Sequence, residues 1–67
     1  MIQVTVNGTP RRFEGSPCVA DLVAALALTG KKIAVEKNGE IVPKSAHART
    51  PVADGDTLEI VVAVGGG

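Results

Sequence analysis

Few side chains in this sequence can do chemistry. His47 is the only histidine and Cys18 the only thiol. They fall on different predicted elements, so a Cys/His nucleophilic pair is not expected. With no second histidine or cysteine, His47 reads as a solvated loop residue and not as a metal ligand. Cys18 reads as a small residue packing at a helix start, the alternative being a reactive thiolate. Asp54 and Asp56 flank Gly55. Paired carboxylates can exchange protons, but Asp-Gly-Asp before an apolar run is first of all a turn. Glu-Lys-Asn-Gly-Glu (36–40) lacks the glycine spacing and closing Lys-Ser/Thr of a phosphate loop and reads as a charged hairpin end. What is left is the end of the sequence, Val-Ala-Val-Gly-Gly-Gly, residues 62–67. Three glycines add nothing to a core and lose much freedom on ordering. They do make a thin wire reaching roughly 10 Å. Either these glycines are only the loose end of an interaction domain, or the working group is the carboxylate of Gly67, with Gly65 and Gly66 entering a partner's active site. A carboxylate is a poor acyl donor until activated, and attack on ATP in a partner enzyme would give an acyl-adenylate open to a thiolate or amine.

The elements that must carry this tail are legible from hydrophobic period. Ile2, Val4 and Val6 alternate with Gln3 and Thr5, a half-buried strand. Asn7-Gly8 is a hairpin signal. The return strand holds Pro10, which lacks an N–H and belongs at a sheet edge. A helix is predicted over residues 17–28, with Ser16 as N-cap and Pro17 at its first position. Val19, Leu22, Val23 and Leu26 form its apolar stripe, and Gly30 follows its end. Two more strands flank Asn38-Gly39, and residues 45–49 suit one helical turn. Leu58, Ile60, Val62 and Val64 would face inward on the last strand. Val61 and Ala63 would then form an outward apolar strip, a candidate docking surface.

One helix over a four- or five-stranded mixed sheet is an α+β arrangement. The first and last strands are the most apolar and are expected side by side and parallel at the centre, joined by a right-handed crossover. That is the β-grasp, ubiquitin-like architecture, a domain over 1–64 with a glycine tail over 65–67. The core must be aliphatic, because Phe13 is the only aromatic residue. Seven basic and seven acidic side chains cancel, which leaves no electrostatic footprint for nucleic acid or an anionic membrane. The single cysteine and the absence of a signal or spanning segment lead to the expectation of a cytoplasmic protein.

Taken together, "MIQVTVNG", "VEKNGEIVPKSAHA" and "ADGDTLEIVVAVGGG" resemble the ThiS sulfur carriers of thiamine biosynthesis over essentially the whole chain. The resemblance implies a carrier and not an enzyme, with no bound cofactor. It implies an E1-like, ThiF-type adenylyltransferase that uses ATP and magnesium to adenylate Gly67. It further implies a cysteine persulfide as sulfur donor, a thiocarboxylate on Gly67, and a ThiG-type thiazole synthase as acceptor. His47 stands where many members of the family have tryptophan, and Gly65 where a bulkier residue is common. A carrier for molybdopterin or cysteine synthesis, or a ubiquitin-like modifier joined to a lysine, would share the terminal Gly-Gly.

Overall fold

The computed structural model describes residues 1–63. The elements run β1 (Ile2–Val6), β2 (Thr9–Phe13), α1 (Val19–Ala25), β3 (Ile33–Lys37), β4 (Glu40–Val42), a 3-10 helix (Lys44–Arg49) and β5 (Thr57–Val62). Both Asn-Gly pairs are tight hairpin turns. Asn7 and Gly8 have φ of 50° and 81°, Asn38 and Gly39 of 52° and 86°. Two consecutive positive φ values define the turn whose twist matches the flanking strands, and asparagine followed by glycine is the least costly way to reach it.

The sheet order is β2-β1-β5-β3-β4. β1 and β5 pair in parallel, Thr5 opposite Thr57 and Val6 opposite Leu58. The three other pairings are antiparallel. The two most apolar strands thus meet at the centre as their composition predicts, and Pro10 lies in the edge strand β2. One helix on a five-stranded mixed sheet of this order is the β-grasp fold. Its core is aliphatic: Val4, Val6, Val19, Leu22, Val23, Val35, Val42, Val52, Leu58 and Ile60 are buried.

The helix is shorter than residues 17–28 at both ends. At the start, Val19 N–H donates to the Thr50 carbonyl and Val52 N–H to the Pro17 carbonyl, both at 2.9 Å. This short strand-like pairing holds residues 17–19 extended, so Cys18 and not Ser16 is the N-cap, at φ −105° and ψ 174°. Asp21 reaches back to accept the Cys18 backbone N–H at 2.9 Å and its thiol at 3.3 Å. Those hydrogen bonds, the backbone one foremost, hold the Asp21 carboxyl below its ordinary 3.8.

At the other end the helix stops before Gly30 is reached. Leu28 N–H donates to Val23 O at 2.9 Å and Ala27 N–H to Ala24 O at 3.0 Å. This pair of bonds is the Schellman arrangement, which normally uses glycine at the turning residue. Here that residue is Ala27, at φ 60°. An L-residue with a Cβ in this conformation costs about 1–2 kcal/mol. Ala27 is exposed, so Ala27→Gly removes the strain without opening a cavity. Part of the gain is offset by glycine's freer unfolded chain. The expected outcome is stabilisation by about 0.5–1 kcal/mol, or a few degrees in Tm, read by thermal denaturation. An unchanged or lower Tm would contradict the strained cap.

The Asp54-Gly55-Asp56 segment is a turn, as expected. Asp54 Oδ1 accepts from Gln3 N–H at 2.7 Å, and Asp56 Oδ2 from Ala53 N–H at 2.8 Å. Partial burial pushes the Asp56 carboxyl up. The Ala53 and Asn38 hydrogen bonds and the Lys37 ammonium at 3.9 Å outweigh it, so the carboxyl lies below its ordinary 3.8. Both carboxylates close the loop before β5.

Candidate functional site

The strand leading to the tail is held from both sides, and asparagine supplies much of the grip. Asn7 N–H donates to Leu58 O at 2.9 Å. Its side chain then acts like one more strand residue, Nδ2 donating to Ile60 O at 2.9 Å and Oδ1 accepting from Ile60 N–H at 2.7 Å. This prolongs the β1–β5 ladder beyond the point where β1 turns away. On the opposite flank Asn38 N–H donates to Thr57 O at 2.7 Å and Asn38 Oδ1 accepts from Thr57 N–H at 2.9 Å. Past the end of β5, Ala63 N–H donates to Lys32 O at 2.8 Å. The backbone is thus fixed up to Ala63, four residues before the end of the sequence. The turn asparagines are readable as turn residues, but no local pattern signals that the Asn7 side chain bonds a residue 53 positions away.

Val61 and Ala63 are exposed, as the alternation of β5 requires, Val61 at 62%. Val61 lies opposite Ala34 on β3. One row along the same face, Glu59 lies opposite Glu36, which in turn lies opposite Ile41 on β4, itself 67% exposed. The sheet face turned away from α1 therefore shows apolar side chains beside two facing carboxylates. Like charges directly opposite each other destabilise a sheet slightly.

Val62 departs from its expected inward role. It shares the helix-side face with Ile60 but is 37% exposed, because α1 ends too early to cover it. Val64, Gly65, Gly66 and Gly67 lie outside the described residues, and with them the expected boundary between domain and tail.

His47 is a clear correction to the solvated-loop expectation. It is 8% exposed and its Nε2 lies 3.1 Å from Val42 O. A carbonyl only accepts, so Nε2 carries the proton and donates. The 3-10 helix turns the ring inward, and a histidine whose polar atom is satisfied packs like a modest aromatic. Cys18 is the half-buried cap of α1, with its thiol on Asp21. Among the described residues no cluster of three or more His, Cys, Asp or Glu side chains forms a metal site. No helix among them is long and apolar enough to cross a membrane. What the arrangement can do is hold a strand end fixed up to Ala63, next to an apolar and acidic face.

The model of the ThiS family matches residues 4–67. The chain belongs to the ThiS family. The match includes the glycines that the described structure does not. The sulfur carrier protein ThiS of Bacillus subtilis is 41% identical over 49 residues, 73% of this chain and 74% of that protein. The crystal structure of the thiamine biosynthesis protein ThiS from Geobacter metallireducens superposes with a TM-score of 0.82 at 38% identity, covering 98% of this chain and all of that one. A thiazole synthase of Paramagnetospirillum magneticum is 47% identical over 66 residues, 98% of this chain. The chain spans only 20% of the length of that protein. ThiS membership accounts for the β-grasp order.

Proposed function

We propose that this chain is a sulfur carrier of thiamine biosynthesis, with the carboxylate of Gly67 as its working group. The observation that carries the reading is the ThiS match, which runs through Gly67. In the proposed cycle a partner adenylyltransferase binds ATP and magnesium. The Gly67 carboxylate oxygen attacks the α-phosphorus, pyrophosphate leaves, and an acyl-adenylate forms. Sulfide, or the outer sulfur of a cysteine persulfide, then attacks the acyl carbon and AMP leaves. In the persulfide case a thiol cleaves the remaining S–S bond, leaving the thiocarboxylate. This chain contributes no acid or base to these steps; it positions the group. Glycine at 65, 66 and 67 suits the role, because a chain without Cβ atoms enters a channel too narrow for other residues.

The acceptor fits a thiazole synthase, since proteins of that name contain a segment similar to this chain over 20% of their length. Carrier and acceptor on one chain would raise their effective concentration. Val61 and Ala63 are the proposed docking strip beside the tail. The test incubates the purified protein with ATP, magnesium, a ThiF-type adenylyltransferase and sulfide, followed by intact mass. The expected result is replacement of one oxygen by sulfur at Gly67, and no mass gain with active adenylyltransferase would refute the reading.

A further inference from the structure

A cleft of about 420 Å³ opens between the end of α1, the start of β3 and the 3-10 helix. That volume is in the range of small-molecule sites. Its apolar wall includes Val23, Leu28, Ile33 and the ring of His47. His47 is held in that wall by its bond to Val42 O. Lys31, Lys32 and Lys44 also line the cleft, and no Asp or Glu does. All three lysines are exposed, and the ion pair recorded among the described residues is Lys37 with Asp56. A chain with no net charge thus places three of its seven cations around one apolar hollow.

We infer that the cleft between α1, β3 and the 3-10 helix, floored by Val23, Leu28 and Ile33 and rimmed by Lys31, Lys32 and Lys44, binds a small aromatic phosphate ester. An apolar wall removes an aromatic body from water, with favourable free energy proportional to the area covered. A phosphate monoester carries a charge of about −1.5 to −2 at neutral pH, which answers three lysines lining one cleft better than a single carboxylate does. Neither part suffices alone. Free phosphate leaves the apolar wall wet, and an uncharged aromatic leaves the lysines unanswered. This inference is independent of the sulfur-carrier reading.

The experiment titrates ¹⁵N-labelled protein with 1-naphthyl phosphate, 1-naphthol and inorganic phosphate, following backbone amide shifts. Saturable shifts centred on residues 30–33 and 44–48 are expected with naphthyl phosphate. Its apparent Kd should be at least about tenfold tighter than that of either fragment, a difference of about 1.4 kcal/mol. The double variant Lys31→Ala, Lys44→Ala should weaken naphthyl phosphate by about tenfold and leave naphthol unchanged. Both lysines are exposed, and an unchanged amide spectrum will show that the variant is folded. Equal affinity for inorganic phosphate would reduce the site to surface charge and overturn the inference. Shifts centred elsewhere or without saturation would also overturn it, as would tighter binding of a glutamate-rich peptide.

Discussion

Deleting Gly67 is expected to abolish sulfur loading while leaving Tm unchanged. The deletion moves the terminal carboxylate back by about 3.5 Å. Adenylation and sulfur attack both need the acyl carbon within near-attack distance, and a misplacement of about 1 Å can cost about a hundredfold in rate. A whole residue is beyond what a partner built for this length can absorb. Stability is expected to hold because every buried hydrophobic among the described residues lies at or before Ile60. The last described anchor is Ala63 on Lys32 O. Intact mass after the loading reaction and a thermal melt of the same sample read the two halves separately. Loss of loading together with a large fall in Tm would mean that Gly67 is structural, and retained loading would remove it as the sulfur bearer.

Leu22→Ala is expected to do the reverse. Leu22 is 0% exposed at the centre of α1, packed in a core made entirely of aliphatic side chains. Truncating a buried leucine costs about 2–5 kcal/mol through lost burial and the cavity left behind. A domain of this size has a total stability of only about 3–10 kcal/mol, so the loss is a large share of it. A Tm lower by on the order of 10 °C or more should follow. Leu26, on the same apolar stripe, is only half-buried and lines a surface hollow together with the exposed Val62, so Leu26→Ala should cost clearly less. Urea midpoints for the two variants decide it. A larger loss at Leu26 would mean that the helix packs further along the sheet than described. Whatever Leu22→Ala remains folded should still accept sulfur, since the tail sequence is untouched.

The succession of elements, the edge place of the Pro10 strand and the central parallel pair are readable because two-residue periods, Asn-Gly turns and a proline are local signals with few alternative solutions. The helix ends are less readable because the deciding contacts are distant. Ser16 is a good cap in isolation, but the pairing of residues 17–19 with 50–52 keeps the chain extended past it. Gly30 is a good stop signal, but Ala27 takes the left-handed turn earlier and at a cost. The inward turn of His47 is not legible in the sequence, because its flanks, Lys44-Ser45-Ala46 and Ala48-Arg49, are polar or small and carry no apolar period. Only the turn of the 3-10 helix shows which side of those residues faces the core. On β5, the outward exposure of Val61 and Ala63 is plain from alternation. The Asn7 and Asn38 grips on β5 are not, because each joins turn and strand across many residues.

Those grips also bear on how the domain withstands a pull. β5 lies between β1 and β3, so a force applied to the chain beyond Ala63 acts along a strand bonded on both edges. Ladder hydrogen bonds run across the strand axis, so this load shears many of them together and does not peel them one by one. The Asn7 side-chain pair with Ile60 and the Ala63 bond to Lys32 sit nearest the pulled end and take the load first. Under the proposed carrier role, in which a partner enzyme takes up the tail, the domain is mechanically braced along the direction of that pull.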